Sequence, residues 1–592
     1  MMRMARRVVA RCLATALLVV FAAPSGPPAA AAPAAEELLV SRADVGRYGG
    51  QLVVNQRAEP KTLNPVTAID SVSREVVKCT IADLIHINRE TQRTEPALAT
   101  KWTMSSDGRR YIVALRRGIR FSDGHPFDAD DVLFSFRVYL DDKVRSAQRD
   151  LLTVGGQPIG VRKIDPYTVQ FDLAASMAGA DRLFDSIAML PRHLLESSFT
   201  EGRLADAWSL ATPAAQMAGL GPFRFKEHVP GERIVLERNP YYWKADRSGN
   251  RLPYLDRLAF MLVASDDAQA IRFQAGEADV ASRLTAENFG VLTRTERTAP
   301  YKLFDLGAGL DYNFLFFNLN DLGSTLRETS RKQVWFRQLA FRQAISMAID
   351  RDAIVRLVYR GRATPLWGHV PSGNKVWFNH SIPRPSRSLD AARRLLRSSG
   401  FAWTPQGALV DGRGEAVEFS ILTSTGNNER AGMATIIQDD LKQLGMSVHV
   451  VALELRALVD RLLKTHDYEA CVLGLGNADG NPSAEMNVWL SSGGQHLWSP
   501  EQSRPATPWE AEIDSLMQRQ LTTLDASARK RLYDRVQELV ARNLPMIFLA
   551  SPNVLVGANK GLGNFRPAVI DPHTLWNVEE LFWRDKRSSG TR

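Results

Sequence analysis

The sequence predicts a mixed α/β chain of several lobes built on more than one sheet. Its 592 residues exceed one compact core, since domains hold roughly 50 to 250 residues. Strand-type and helix-type hydrophobic periods interleave along its whole length. No internal repeat, coiled coil or long linker separates the lobes. They must therefore be joined by short crossings inside sheets, an arrangement suited to hinge motion.

Taken in order, residues 38–55 hold two short strand-type runs around Gly49 and Gly50, and the second leads into a turn segment at 59–65. Residues 75–87 carry apolar side chains at 76, 77, 81, 84, 85 and 87, a helical spacing. Residues 111–115 read as a strand, Asp123–Gly124 as a turn, and 129–142 (ADDVLFSFRVYLDD) as a helix whose acidic first turn suits the helix dipole. Residues 167–173 alternate as a strand, and 187–196 lead into a helix with Pro191 near its first turn. A second strand system runs through 219–225, 233–237 and 258–262, followed by a helix from 268 that stops at Gly276. Next come a strand at 314–320 and helical stretches at 335–349 and 354–359. Helices at 389–396 and 431–444 flank a strand at 417–423, and strands follow at 446–451 and 469–475. Helices at 513–521 and 527–541 precede two terminal strands, 546–549 and 554–556.

The amino terminus reads as a cleaved secretory signal over residues 1–35. Arg3, Arg6, Arg7 and Arg11 precede a twelve-residue apolar run, CLATALLVVFAA, and then a Pro/Ala tract with several Ala-x-Ala options. The twin arginines leave both general and twin-arginine export open. Cys12 opens the apolar run instead of following it, the wrong place for a lipid-acceptor cysteine, so the mature protein is expected free and not lipid-anchored. No later apolar run approaches the roughly 20 residues that cross a bilayer. The full chain carries +9; without residues 1–35, 70 basic against 65 acidic residues leave +5. Both signs are interspersed, which excludes the basic stripe of a nucleic-acid binder. Only Cys79 and Cys471 survive processing, and a long-range disulfide and two buried thiols both stay open.

Enzymatic machinery is not legible. The chain has no GxSxG, P-loop, Rossmann fingerprint, HExxH or zinc spacing, so no catalytic residue, metal or cofactor is expected. Asp130 and Asp131 are neighbours on a helix and diverge; they read as first-turn acids. His125, His193 and His496 are isolated and read as turn or packing residues. One cluster stands out: the strand EACVLGL runs into Gly476-Asn477-Ala478-Asp479-Gly480-Asn481-Pro482. An acid beyond the carboxyl end of a buried strand lies where open α/β sheets bind ligands. Its carboxylate suits an ammonium group, and an Asx turn closing the chain is the other reading.

ALATKW (97–102), SSDG (105–108) and above all LRRGIRFSDGHPFDADDVLFS (115–135) resemble the solute-binding proteins of ABC transporters, family 5, which serve peptides, dipeptides, nickel and related solutes. TLNP (62–65), MLPRHLL (189–195), GLGPFRF (219–225), ERNPYYW (237–243), LPYLDRL (252–258), QAGEADV (274–280), FRQAISMAIDRDAIV (341–355) and LPMIFL (544–549) follow in family order. The resemblance covers nearly all of the mature chain.

It implies a type II periplasmic binding protein fold, with two main sheet-based lobes, an extra subdomain and a hinge. Residues 36–66, 219–310 and 550–592 would form lobe I, 67–218 the extra subdomain (lobe II), and 311–549 lobe III. It further implies a periplasmic monomer that captures peptides or peptide-like solutes and delivers them to an inner-membrane ABC permease. An oligosaccharide, opine or metal chelate is the alternative solute, with Trp489, Trp498 and Trp509 as candidate sugar-stacking rings. By the same resemblance Asp479 pairs with the ligand's α-amino group, and Ala478, Asn477 and Gly476 match the strand end beside the peptide backbone. Ile69, Asp70 and Ser71 would lie alongside the ligand, and Phe316 and Phe548 would be pocket walls. The sequence departs from the family pattern at Gly480-Asn481-Pro482, where the usual acid before the proline is missing.

Overall fold

The computed structural model describes residues 35–585 except 145, 147, 186, 323–325 and 477–479. Apart from residue 35, the expected signal segment lies outside the described residues. The lobes all belong to one compact unit, Glu36–Arg592.

The chain is organised by the strand Met546–Asn559, 14 residues long. Its second half pairs with Val280–Ala281 and Tyr301–Ala308, and its first half with Asp311–Phe317 and Ala363–Pro365. Beyond Val280–Ala281 the sheet continues through Gln51–Gln56, Arg257–Leu262, Arg233–Arg238 and Phe223–Val229. Beyond Asp311–Phe317 it continues through Ala470–Gly476, Glu418–Ser424 and Ser447–Leu453. One strand thus belongs to both lobes. The sequence reading split it into two, 546–549 and 554–556. Pro552 is tolerated because the ladder shifts register beside it, between Asp305 and Ala308, the kind of irregularity where a missing N–H costs little. Its carbonyl still accepts a hydrogen bond from Gly309 N–H (3.0 Å).

The period-2 pattern of Asp311–Phe317 sorts side chains to opposite faces. Tyr312, Phe314 and Phe316 enter one core, and Leu315 and Phe317 the other. Helices Leu339–Ala348, Leu389–Ser398 and Asn428–Lys442 cover the second face. Pro508–Thr522 and Ala526–Asn543 cover the first. The expected helix 335–349 is in fact two, Arg327–Phe336 and Leu339–Ala348, and the break lets both Phe336 and Phe341 reach the core around Phe317.

A four-stranded antiparallel sheet forms the extra subdomain, in the order Ala99–Met104, Arg110–Leu115, Thr168–Asp172, Gly160–Asp165. Helix Ala129–Leu140 packs beside it through a capping box: Asp128 accepts Asp130 N–H (2.8 Å), and Asp131 accepts Asp128 N–H (3.1 Å). Asp131 also accepts Arg192 N–H (3.1 Å) at the start of helix Arg192–Thr200. Asp130 forms a half-exposed pair with Lys163.

The helical reading of 75–87 fails after Lys78. Helix Ser71–Lys78 ends there, and Ile85–Ile87 is a strand. Tertiary contacts override the local spacing. Gly221 N–H donates to Thr80 O (3.0 Å) and Phe223 N–H to Cys79 O (3.0 Å), which draws the chain against 219–223. A Cβ at Gly221 would sit 2.4 Å from the Thr80 carbonyl carbon, so only glycine allows this approach. Cys79 and Cys471 are free, buried thiols in separate cores. Among the described residues no helix is long and apolar enough to cross a membrane.

Glu510 organises the aromatic stretch of the third lobe. It is buried, accepts Trp498 Nε1–H (3.0 Å), Thr507 Oγ1–H (2.7 Å) and Gln502 Nε2–H (3.1 Å), and lies 3.3 Å from His496 Nε2. Burial opposes its ionisation, but these hydrogen bonds outweigh it and hold the carboxyl at about 2. A depressed carboxylate stabilises the fold above its unfolded value of about 4.3 and loses that contribution as pH falls through the folded one. Glu510→Gln is therefore expected to lower the melting temperature at pH 7, with the gap to wild type closing between about pH 4 and pH 2. Melting curves across that range check it; a gap independent of pH would refute the assignment.

Candidate functional site

Two walls make up the candidate site. The first belongs to the third lobe and is built at the carboxyl end of Ala470–Gly476. Asp311 to Phe317 pair along the whole of that strand, whereas on its other side Glu418–Ser424 reaches only Ala470 and Cys471. The last residues of the strand are thus strand-paired on one side alone, and Gly476 is exposed. The sequence-predicted Asn477, Ala478 and Asp479 lie outside the described residues.

From Gly480 onward the chain is tightly held. Gly480, at φ +68°, gives its carbonyl to Asn374 Nδ2–H (2.8 Å). Asn481 Oδ1 caps the turn Pro482–Glu485 by accepting Ser483 N–H (3.0 Å), and also accepts Arg529 Nη2–H (2.8 Å). Arg529 lies over the Trp377 ring, 5.0 Å from its centroid. The buried Glu485 accepts Tyr533 Oη–H (2.7 Å), Tyr312 Oη–H (3.2 Å) and Trp489 Nε1–H (3.1 Å). These contacts fix the chain from Gly480 to Glu485.

The second wall is the start of helix Ser71–Lys78. Ile69 is 67% exposed, and Ser71 is exposed beside a cavity of about 170 Å³. Asp70 caps the helix: its two oxygens accept Ser73 N–H (2.8 Å) and Ser73 Oγ–H (2.7 Å). It positions Ser71 instead of presenting a free carboxylate. Burial pushes up the carboxyl of Asp311, the strand partner of Gly476, while Arg283, His573 and Arg430 pull it back.

The cleft is bridged. Gln92, at φ +62°, donates from Nε2 to Gly373 O (2.7 Å) and accepts Lys375 N–H at Oε1 (2.9 Å). Lys375 Nζ donates to Glu90 O (2.9 Å), and Ala178 N–H to Leu521 O (2.7 Å). The subdomain is thereby latched to the third lobe.

Phe316 and Phe548 are 0% and 1% exposed. They pack in the core beneath the sheet and offer no surface to the cleft, which corrects their reading as pocket walls. Trp489 and Trp498 are each 1% exposed, so neither is available to stack on a sugar. His125 and His193 stack on each other, ring centroids 3.8 Å apart. Sequence reasoning missed Gln92, Glu75, Arg283, Asp571 and His573, which come from stretches with no motif of their own. It also missed Asp83, His86 and Asp185, whose ligand-type atoms lie within 4.8 Å of one another. Asp185 is engaged there by Arg89, at 3.3 and 3.2 Å, and by Ile87 N–H (2.8 Å), an ion pair that fastens the base of the latch.

Comparison with known proteins places this architecture. A probable ABC transporter-binding protein of Deinococcus radiodurans is 28% identical, over 83% of this chain and 85% of its own length. The periplasmic alpha-galactoside-binding protein of Rhizobium meliloti is 26% identical, over 84% of this chain and 74% of its own. The solved structure of the oligopeptide-binding protein AppA from Bacillus subtilis, in complex with a nonapeptide, superposes with a TM-score of 0.65 at 24% identity, covering 91% of this chain and all of that one. This likeness bears on the fold, the two-lobed type II binding architecture with an extra subdomain. Residues 93–496 match the bacterial extracellular solute-binding proteins, family 5, in the region described as its middle. The chain belongs to this family of non-catalytic transport components.

Proposed function

We propose that the protein closes its two lobes on a peptide or peptide-like solute and hands it, unaltered, to the permease of an ABC transporter. The observation that carries the reading is the exposed strand end at Gly476, paired on one side alone. An extended peptide satisfies such an edge through its backbone N–H and C=O groups. Asp479, three residues beyond Gly476, would receive the peptide's ammonium group. The protein would work as a monomer outside the cytoplasm, released from a signal segment over residues 1–35. Ligand contacts both walls and so shifts the population toward the closed form.

The oligopeptide-binding name of the Bacillus relative supports this reading, and the alpha-galactoside-binding name of the Rhizobium relative favours a saccharide. Burial of Trp489 and Trp498 removes two of the rings a sugar would stack on, and the peptide reading is the stronger. Native mass spectrometry of protein purified from its own cells is expected to show a peptide mass that leaves on denaturation. Added peptide at about 100 times its Kd should then stabilise the emptied protein by about 2.7 kcal/mol. A trapped hexose oligomer, or stabilisation by saccharides alone, would overturn the peptide reading.

A further inference from the structure

The cavity beside Ser71 is more than an indentation of the cleft. Strands Gln51–Gln56, Arg257–Leu262 and Val280–Ala281 run parallel. The cavity lies at their carboxyl ends, between helices Ser71–Lys78 and Asp266–Gln274, the position where open α/β sheets bind ligands. At about 170 Å³ it is smaller than the roughly 300–1,000 Å³ of a whole-ligand pocket. It has the scale of a side-chain subsite.

Its charges are sorted. Arg57 pairs with Asp266 (2.5 Å), and Arg283 with Asp571 (3.1 Å), which Lys78 also approaches (3.5 Å). Glu75 has the Gln56 amide as its hydrogen-bond partner (3.0 Å). Gln56 is 3% exposed. Its Nε2 donates to Glu75 and to Val72 O (3.4 Å), which fixes the amide so that Oε1 is the end left over, and that oxygen is buried without a partner among the described residues. Asn55 repeats the arrangement: its Nδ2 reaches Gln269 O (3.5 Å), and its buried Oδ1 has no partner. Apart from the paired ions, the cavity therefore offers one carboxylate and two amide oxygens as acceptors, beside the Ser71 hydroxyl and the His573 ring. Burial, and after it the Asp571 charge, push the Glu75 carboxyl up, while Gln56, Arg283 and Lys78 pull against it.

We propose that this cavity is a subsite for a cationic side chain of the bound ligand, an alkylammonium or guanidinium group held by Glu75, Gln56 and Asn55. An ammonium has three N–H donors and no acceptor, which matches the three groups on offer. An acidic side chain would meet Glu75 as a like charge, and an apolar one would leave the buried oxygens unpaired. The inference rests on the peptide reading above and adds a preference to it.

The test is calorimetry on the full-length mature protein with trialanine in which lysine, norleucine or glutamate replaces each position in turn. At one position lysine is expected to bind about ten- to a hundredfold more tightly than norleucine, with glutamate weakest. In Glu75→Gln that preference should fall below about threefold while the affinity for the norleucine peptide is retained. Lysine and norleucine peptides binding within about twofold at every position would overturn the subsite and leave the peptide reading standing. So would a preference that survives in Glu75→Gln. Binding of none of the peptides overturns the peptide reading and the subsite with it.

Discussion

Asp479→Ala is expected to weaken peptide binding by about 2–5 kcal/mol, the usual cost of truncating one partner of a buried, hydrogen-bonded charge pair. In Kd that is roughly thirty- to several-thousandfold. The size reflects where a cleft of this type puts the pair. Lobe closure removes water from both charges, and once the carboxylate is gone the ligand ammonium has no bulk solvent to return to. The loss should therefore depend on the ligand carrying that charge. An N-acetylated peptide has no ammonium, so it should bind weakly to wild type and lose little more in Asp479→Ala. The two changes together should cost far less than their sum. Asp479→Asn should fall between, keeping the acceptor oxygen without the charge. Asp130→Asn is the control: its pair with Lys163 is half-exposed and worth about 0–1 kcal/mol, while Asp128 and Asp131 hold the helix start. Calorimetry with free and acetylated peptides decides the matter. Equal affinity of the free peptide for wild type and Asp479→Ala would remove the amine anchor.

The sequence made parts of this molecule readable for identifiable reasons. The alternation in 311–317 is enforced by two cores, one on each face of the sheet, so the pattern and the structure are the same fact. Helix 129–140 carries its own start signal in Asp128 and Asp131. Where reading failed, a distant partner decided the outcome. Residues 79–81 stop being helical because Gly219 and Gly221 let another strand's approach come within contact. Pro552 stays in a strand because a bulged neighbour needs no donor there. The site divides in the same way. Asp479 was proposed from its place after a buried strand and from a family motif, both local signals, and it lies outside the described residues. The acceptor cavity was not, because Asn55, Gln56, Glu75, Arg283 and Asp571 meet only once three parallel strands and two helices are in place. Phe316 and Phe548 show the converse error, since an aromatic at a lobe junction reads alike whether it lines a pocket or fills a core.

The second large effect needs no contact with ligand. Gln92→Ala removes two hydrogen bonds that span the cleft, to Gly373 O and from Lys375 N–H. At a net of about 0.5–1.5 kcal/mol each, the closed form loses about 1–3 kcal/mol relative to the open one. Affinity should fall about five- to 150-fold, because apparent affinity scales with the population of the binding-competent form. The latch is preloaded: Gln92 is held in the left-handed region, uncommon for a side chain of its kind. Asn88 O accepts its N–H (2.7 Å), and Arg182 donates to its carbonyl (3.2 Å). A shorter side chain cannot span the gap, so Gln92→Asn should behave like the alanine variant. Lys375→Ala keeps the backbone N–H and loses only the exposed Nζ contact with Glu90 O, and should cost much less. The loss should appear mainly as faster dissociation, since bonds formed after docking govern escape. Small-angle scattering should show a ligand-free ensemble shifted toward the open form, and a ligand-saturated one as compact as wild type. Unchanged dissociation rates in Gln92→Ala would mean that closure is held elsewhere, with the Ala178–Leu521 contact the next to be cut.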